Sequence, residues 1–264
     1  MKVGFIGSGN MASALINGMA KNKQYEIAVM DVNEAALKNV TSKVSYTSLV
    51  TEEVIERSDY LVLAIKPYMY QEFLVKYQEL LKGKIVISIA AGISSKFMEN
   101  YVAKYVLVMP NTPAFLGLGM TSVVKNDCLS NIEFENILGI FKAVGEVEII
   151  AEKEMEALIC LAGSAPAYFY LVLEAMAKFG ETKGIDKEKA TMVAANVMRA
   201  TAQMQLESDL NPRVLADKVC SPNGTTIKAV DYFDDHNLEE IFFEAMEACY
   251  QRAIEMKSEN DESL

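Results

Sequence analysis

The stretch MKVGFIGSGNMASA, Met1–Ala14, decides the fold. Lys2–Ile6 is a short apolar run with strand propensity, Gly7-Ser8-Gly9 is a turn, and a helical pattern with small residues starts at Asn10. A strand, a glycine turn and a helix start in this order aim backbone N–H groups and the positive end of a helix dipole at whatever lies beyond the strand. This arrangement suits a pyrophosphate and predicts dinucleotide binding.

The composition narrows the class of protein. A chain of 264 residues is longer than a domain of about 100 to 150 residues, so we expect two domains. The net charge of −11 disfavours a nucleic-acid partner. The four cysteines have no CxxC spacing, and the one histidine lies in the polar stretch Asp234–Asn237, so we expect reduced thiols and no metal site.

Two features of the sequence bear on localisation. We find no stretch of about 18 apolar residues that would span a bilayer. Met1-Lys2 leads directly into the first strand, which leaves no room for a secretory signal. We therefore expect a cytoplasmic protein without a membrane partner.

Asp31 bears on the choice of cofactor. It follows a second strand over Tyr25–Met30, and a carboxylate about 20 residues after the glycine turn commonly binds the ribose 2′-hydroxyl of NAD and repels the extra phosphate of NADP. Asp31 thus favours NADH over NADPH, although only weakly. The alternative is that Asp31 caps a helix near Asn33–Leu37, so the preference stays open.

Alternating strands and helices continue to about residue 150 and predict an α/β fold with a doubly wound parallel sheet. In such sheets the ligand lies outside the carboxyl ends of the strands. Three turns at predicted strand ends are therefore candidates for the site: Ile65-Lys66-Pro67, Ala90-Ala91-Gly92 and Met109-Pro110-Asn111-Thr112-Pro113. The predicted strands are Asp59–Ile65, Lys84–Ile89, Tyr105–Met109, Gly117–Lys125 and Val147–Ile150, and the predicted helices include Ser94–Tyr101 and Asn131–Val144.

From Lys153 onward the pattern is helical, which predicts domains over residues 1–152 and 153–264. The helix that begins at Gly163 is apolar on most of its faces up to Lys178 and needs a cover on all sides. A second subunit would provide that cover, and an interior helix of one chain is the alternative. The polar residues 257–264 predict a frayed end.

A second stretch whose residues suit ligand binding is Val219–Ile227, VCSPNGTTI. Proline, glycine and three hydroxyls precede an amphipathic helix, so hydroxyl groups and free N–H groups converge at a positive helix end. This arrangement suits a carboxylate. Helix capping alone is the alternative.

Six motifs occur in order along the chain: Phe5–Ala12, Ala64–Pro67, Ser88–Gly92, Met109–Ala114, Gly163–Tyr168 and Ser221–Thr226. Together they make the sequence resemble the pyrroline-5-carboxylate reductases. The resemblance covers nearly the whole chain and implies an N-terminal Rossmann domain and an all-α C-terminal dimerisation domain. It also implies a homodimer, often assembled into rings such as a decamer, that reduces 1-pyrroline-5-carboxylate to L-proline with NAD(P)H in the last step of proline biosynthesis.

The resemblance also implies roles for particular residues. Thr226 is the catalytic candidate and would hydrogen-bond the ring nitrogen, while Ser221, Gly224 and Thr225 would hold the substrate carboxylate. A protonated cyclic imine is already electrophilic, so positioning is most of the task. The candidate cofactor-binding residues are Gly7, Ser8, Gly9, Asn10, Met11, Asp31, Ala64, Ile65, Lys66, Pro67, Ala90, Gly92, Asn111, Thr112 and Pro113.

Three positions depart from the family pattern. Asn223 replaces a glycine and is the residue that next best tolerates a left-handed backbone. Ala165 replaces a glycine or serine, and Leu107 stands where an arginine often precedes the Met-Pro-Asn-Thr-Pro motif. The Leu107 departure puts a structural or cofactor contact in doubt.

Other functions compete with this one. A reductase of a related cyclic imine and a non-catalytic NAD(H)-binding sensor stay open as alternatives. A hydroxyacid dehydrogenase is disfavoured, because the first long helix of the second domain offers no lysine or histidine base before Lys178.

Overall fold

The computed structural model describes residues 1–262 and contains one eight-stranded sheet. The strand order is β3-β2-β1-β4-β5-β6-β7-β8, and neighbouring strands are parallel except for β6 and β7. The predicted doubly wound, largely parallel sheet is confirmed, whereas the antiparallel direction of β7 was not predicted. The strands are β1 Lys2–Ile6, β2 Glu26–Met30, β3 Tyr46–Ser48, β4 Tyr60–Leu63, β5 Ile85–Ser88, β6 Tyr105–Met109, β7 Gly119–Val124 and β8 Gly145–Ile150.

Twelve α-helices accompany the sheet in the described part of the chain, and those after β8 form the C-terminal part, as predicted. A π-helical turn over Ile159–Gly163 connects α7 to α8. The helices are α1 Asn10–Met19, α2 Glu34–Lys38, α3 Thr51–Glu56, α4 Tyr70–Tyr77, α5 Ser95–Glu99, α6 Asn131–Lys142, α7 Met155–Leu158, α8 Ala165–Thr182, α9 Lys187–Leu206, α10 Pro212–Val219, α11 Thr225–Asp235 and α12 Leu238–Glu262.

The central strands are buried on both faces, which explains why they read as continuous apolar runs. In β1, Val3 and Phe5 join one hydrophobic cluster with helix α1, while Ile6 joins a second cluster with Leu61 and Leu63 of β4. Successive side chains of a strand point to opposite faces, so helices cover both sides of the sheet. The sheet thereby places the carboxyl ends of β1, β2, β4, β5 and β6 along one edge.

Contacts divide the chain into two compact units. The first consists of Met1–Pro166 and the segment from Ala248 onward, and the second is Ala167–Glu247. Within 167–247, a range that the structure describes completely, the buried apolar side chains are three alanines. The second unit therefore exposes most of its apolar surface in a single chain.

Helical run Glu152–Thr182 corrects one expectation from the sequence. By length and composition it is apolar enough to cross a membrane, whereas we expected no such stretch. Of its apolar 18-residue segment, 28% is buried in the structure. Core helices of soluble proteins share this composition, so the run alone is weak evidence for a membrane span.

The C-terminal helix corrects a second expectation. We predicted a frayed end over residues 257–264, but α12 continues to Glu262 and its last turns make specific contacts with Gly92 and Glu156, which belong to the same unit. Lys257 Nζ lies 2.8 Å from Glu156 Oε1 in an ion pair. The prediction is therefore wrong for residues 257–262, and residues 263 and 264 lie outside the described residues.

Candidate functional site

Gly7 makes the turn after β1 for which only glycine is suited. Its φ is +97°, and a Cβ there would lie 2.6 Å from the carbonyl oxygen of Ala64. Its N–H donates to the Met30 carbonyl at 2.8 Å. The turn thus packs tightly against the ends of β2 and β4, with Ile65 also nearby.

Gly9 lies beside open space, in contrast to the tightly packed Gly7. It precedes α1 with φ −61°, no side chain caps the helix, and a Cβ built at Gly9 would meet no atom within 4 Å. Gly9 and Asn10 are exposed, and Met11 is half-buried. The start of α1 therefore presents unoccupied backbone donors beside open space, which fits a phosphate group.

Asp31 lies against the glycine turn rather than at a helix cap. Its Oδ2 accepts hydrogen bonds from the Ser8 N–H and the Ser8 hydroxyl, both at 2.7 Å, and its Oδ1 accepts from Asn33 N–H at 2.9 Å. The cap of α2 is Asn33, whose side chain accepts from Ala35 N–H. The alternative that Asp31 caps this helix is therefore wrong.

These hydrogen bonds set the charge of Asp31. Burial acts to raise its pKa, but hydrogen bonds from the Ser8 hydroxyl and from backbone N–H groups outweigh burial and lower the pKa below its ordinary value. Asp31 is consequently a carboxylate at neutral pH. It stands where the turn after β1 meets the end of β2.

Tyr70 connects two of the candidate turns and was missed by the sequence reading. Its hydroxyl donates to the Leu63 carbonyl at 2.8 Å and lies 3.2 Å from the Ser88 hydroxyl, which joins the ends of β4 and β5. The side chain is fully buried, and burial raises its pKa. A tyrosine three residues after the Lys-Pro pair has no distinctive sequence signal, because other tyrosines of this part of the chain, such as Tyr60 and Tyr105, are also buried core residues.

The turn after β4 is more exposed than Tyr70. Ala64 N–H donates to the Ile6 carbonyl at 2.8 Å and extends the pairing of β4 with β1. Lys66 is exposed, and Pro67 begins a short 3-10 turn. Ala64 and Ile65 thus lie beside the glycine turn, as predicted for strand ends.

Asn111 is buried and uses its amide to hold the backbone. Its Nδ2 donates to the Ala162 carbonyl at 3.1 Å, and its Oδ1 accepts from Met120 N–H at 2.9 Å. Thr112 is exposed and Pro113 is half-buried at the start of a 3-10 turn. Asn111 therefore shapes the turn after β6, while its own side chain is engaged within the protein.

Leu107, one of the three departures from the family pattern, lies in the hydrophobic core. It is 3% exposed within β6 and belongs to the hydrophobic cluster on one face of the sheet. The position that often carries arginine is therefore a core position in this chain.

The turn after β5 is braced by the C-terminal helix. Gly92 has φ +79°, and its carbonyl accepts a hydrogen bond from Asn260 Nδ2 at 2.8 Å. Ala90 is half-buried and Gly92 is buried. The structure thus fixes this turn through a residue far away in sequence.

The second unit contains the Ser221–Thr226 loop between α10 and α11. Asn223 has φ +60°, which confirms that asparagine takes the left-handed conformation here. Gly224 N–H donates to the Ser221 carbonyl at 2.9 Å, and a Cβ at Gly224 would lie 2.2 Å from Ser221 Oγ. The loop is therefore compact around Gly224.

The start of α11 is open in the same way as the start of α1. Gly224 is the residue before the helix, and no side chain caps the first turn. Thr225 is exposed and Thr226 is half-buried. Arg213 of α10 binds both carboxylate oxygens of Asp234 on α11, at 2.9 and 2.8 Å, and so joins the two helices that flank the loop.

Comparison with known proteins identifies the family. Pyrroline-5-carboxylate reductase of Escherichia coli is 32% identical over 260 residues, covering 96% of this chain and 97% of its own length. The Methanosarcina acetivorans enzyme is 34% identical over 271 residues, covering 100% and 97%. This chain belongs to the pyrroline-5-carboxylate reductase family.

Family models and solved structures agree with this membership. Residues 152–256 match the model "Pyrroline-5-carboxylate reductase dimerisation", and residues 2–92 match "NADP oxidoreductase coenzyme F420-dependent". The Plasmodium falciparum pyrroline carboxylate reductase structure with NADP bound has a TM-score of 0.89 at 26% identity, covering 97% of this chain and 98% of that one. The Streptococcus pyogenes enzyme has a TM-score of 0.87 at 30% identity, with 98% of both chains covered.

Proposed function

We propose that this chain reduces 1-pyrroline-5-carboxylate to L-proline with NAD(P)H. The observation that carries the proposal is the near-full-length similarity to pyrroline-5-carboxylate reductases, over both the dinucleotide-binding part and the dimerisation part. The two uncapped helix starts, at Gly9 and Gly224, support it independently, because the reaction needs sites for a pyrophosphate and for a carboxylate.

The first unit would hold the cofactor. The N–H groups at Gly9, Asn10 and Met11 would bind the pyrophosphate, since Ser8 N–H is engaged by Asp31. Bound NAD(P)H would supply the hydride that adds to the imine carbon. The other proposed cofactor contacts are those of the strand-end turns, namely Gly7, Ala64, Ile65, Lys66, Pro67, Ala90, Gly92, Asn111, Thr112 and Pro113.

The loop of the second unit would hold the substrate. The Ser221 hydroxyl and the Thr225 N–H would bind the carboxylate at the positive end of α11, next to Gly224, whose own N–H donates to the Ser221 carbonyl. The Thr226 hydroxyl would hydrogen-bond the ring nitrogen. As the hydride adds to carbon, the C=N π electrons move to this nitrogen, whose proton completes the secondary amine, so that holding the ring in place is the main task of the protein.

Asp31 supports a preference for NADH. A carboxylate held by hydrogen bonds from Ser8 and Asn33 would accept hydrogen bonds from ribose hydroxyls and would repel a 2′-phosphate. The NADP-bound structure of the Plasmodium falciparum relative makes NADPH the competing cofactor. We propose that this chain uses both and prefers NADH.

The second unit supports assembly into a homodimer. Phe169, Leu171 and Phe179 of α8 are 56%, 66% and 64% exposed in the single chain, within a region that matches a dimerisation model. Burial of such side chains removes apolar surface from water, which favours association. We propose a homodimer, with rings of dimers such as a decamer as the larger assembly. We also propose that the protein is cytoplasmic and that the boundary between the two domains of each chain lies near residue 152.

An assay with purified protein tests the function. Pyrroline-5-carboxylate is mixed with NADH or NADPH, and the loss of reduced-cofactor absorbance and the formation of proline are followed. The proposal predicts equal amounts of oxidised cofactor and proline, with a larger kcat/KM for NADH. Absence of turnover with both cofactors contradicts the function, whereas a larger kcat/KM for NADPH contradicts only the assignment of Asp31.

A further inference from the structure

The last turns of α12 lie against the segment that follows β5. Asn260 Nδ2 donates to the Gly92 carbonyl, and Asp261 accepts a hydrogen bond from the hydroxyl of Ser94, the residue that caps α5. These contacts join positions 168 and 167 residues apart in the chain. One helical turn thus holds both Gly92 and the start of the helix after it.

The contact at Gly92 is close enough to need a glycine. A Cβ at this position would lie 2.9 Å from Met256 Cβ and 3.2 Å from Asn260 Nδ2. The amide of Asn260 also donates to the Met256 carbonyl at 2.8 Å. It therefore bridges a carbonyl of the helix and a carbonyl of the turn, which fixes the orientation of the Gly92 peptide.

We propose that Asn260 is a positioning residue for the nicotinamide cofactor. This inference rests on the proposed function, in which Ala90 and Gly92 contact the cofactor. With the Gly92 carbonyl held by Asn260, the turn keeps one conformation before the cofactor binds, and binding does not have to order it. The C-terminal helix of the chain thereby takes part in cofactor binding without touching the cofactor.

Replacement of Lys257 distinguishes the positioning role of Asn260 from a purely structural role of this helix end. Lys257 anchors the same turns through Glu156 and makes no contact with residues 90–92 among the hydrogen bonds and ion pairs described for residues 1–262. Its replacement loosens the helix end and spares the Gly92 hydrogen bond. Ser258 is exposed on the same turn and provides a neutral control.

The experiment compares four variants in the full-length chain: Asn260→Ala, Asn260→Asp, Lys257→Met and Ser258→Ala. For each, kcat, the KM of both substrates and the melting temperature are measured. Loss of one hydrogen bond predicts a KM for the preferred cofactor about five-fold higher in Asn260→Ala. Asn260→Asp has a larger effect, because a carboxylate oxygen then faces the Gly92 carbonyl. The KM for pyrroline-5-carboxylate stays within about two-fold.

The controls separate the possible results. Lys257→Met lowers the melting temperature with an unchanged cofactor KM, and Ser258→Ala resembles the wild type. The inference is overturned when both Asn260 variants keep the wild-type cofactor KM, or when Lys257→Met raises it equally. Inactive wild-type protein would contradict the proposed function instead. A fluorescence titration of NADH and NADPH binding would then test Asn260. We expect a Kd for the preferred cofactor about five-fold higher in Asn260→Ala than in the wild type.

Discussion

The two units of this chain differ in how completely one copy builds them. The first has strands buried on both faces and turns fixed by Tyr70, Asn111 and Asn260. The second exposes large apolar side chains along α8 and α9, and its Ser221–Thr226 loop lies at the surface. We infer from this difference that the first unit, the preformed half, holds its proposed cofactor residues in place within one chain, whereas the second unit, the substrate half, leaves apolar side chains exposed that a partner would cover.

The largest expected effect comes from a charge on the uncovered face of the second unit. Leu171 of α8 is 66% exposed in the single chain, and Leu171→Glu would bury a carboxylate in the proposed dimer. We expect loss of the dimer and of almost all activity, measured by light scattering and by the reductase assay. Lys23→Glu, on an exposed turn of the first unit, is the control. An active dimer of Leu171→Glu would exclude this face from the interface.

Thr226→Val tests the substrate half with the shape of the side chain retained. Loss of the proposed hydrogen bond to the ring nitrogen predicts a kcat about 100-fold lower, with the cofactor KM nearly unchanged. Thr41→Val is the control, because Thr41 is an exposed residue of the first unit whose hydroxyl donates locally, to the Leu37 carbonyl four residues earlier. Equal losses in kcat and in cofactor affinity would indicate that Thr226 only stabilises the start of α11.

A pair of glycines tests the preformed half. Gly7→Ala places a Cβ 2.6 Å from a backbone oxygen at φ +97°, so we expect it to lower the free energy of unfolding by about 2 kcal/mol or more. Gly9→Ala meets open space and leaves that free energy within about 0.5 kcal/mol. It weakens NADH binding instead. Chemical denaturation and cofactor titration measure both, and a stable Gly7→Ala protein would contradict the description of the turn.

Asp31→Ser tests the cofactor preference. Removal of the carboxylate removes the repulsion of a 2′-phosphate, and we expect the ratio of kcat/KM for NADPH to that for NADH to rise about ten-fold. The pKa of Asp31 lies below its ordinary value, so the group is ionised throughout neutral pH. Titration of Asp31 should therefore contribute no change to the wild-type ratio between about pH 6 and pH 8. An unchanged ratio in Asp31→Ser would remove Asp31 from the ribose site.

Tyr70→Phe has the smallest expected effect. It leaves the buried Leu63 carbonyl without the tyrosine hydrogen bond and should lower the free energy of unfolding by about 1 kcal/mol. Tyr68→Phe is the control, since Tyr68 is 80% exposed. Equal stability of the two variants in a denaturation experiment would show that the Tyr70 hydroxyl does not brace the strand ends.

Local patterns predicted most of the first unit and the presence of the helices. Strand β6 begins and ends where the alternation of apolar and turn residues placed it, because buried parallel strands are short apolar runs bounded by turns. The glycine turn was also predictable, since it follows from backbone sterics within a few residues, and the resemblance to the family implied the left-handed backbone at Asn223.

The rest depends on contacts between residues that are distant in sequence. The antiparallel direction of β7 is set by packing and leaves no local signal. Asn260 and Tyr70 act on turns that lie elsewhere in the chain, and no spacing rule connects them. The polar end of α12 predicted fraying for the same reason, since its ion pair with Glu156 is visible only in three dimensions.

Molar mass measured on the active species tests the contrast between the two units most directly. Size-exclusion chromatography with light scattering is combined with the reductase assay on each eluted fraction. We predict that activity elutes with a mass at least twice that of the 29.2-kDa chain. Full activity in a fraction with the mass of one chain would contradict the claim that the second unit is completed by a partner.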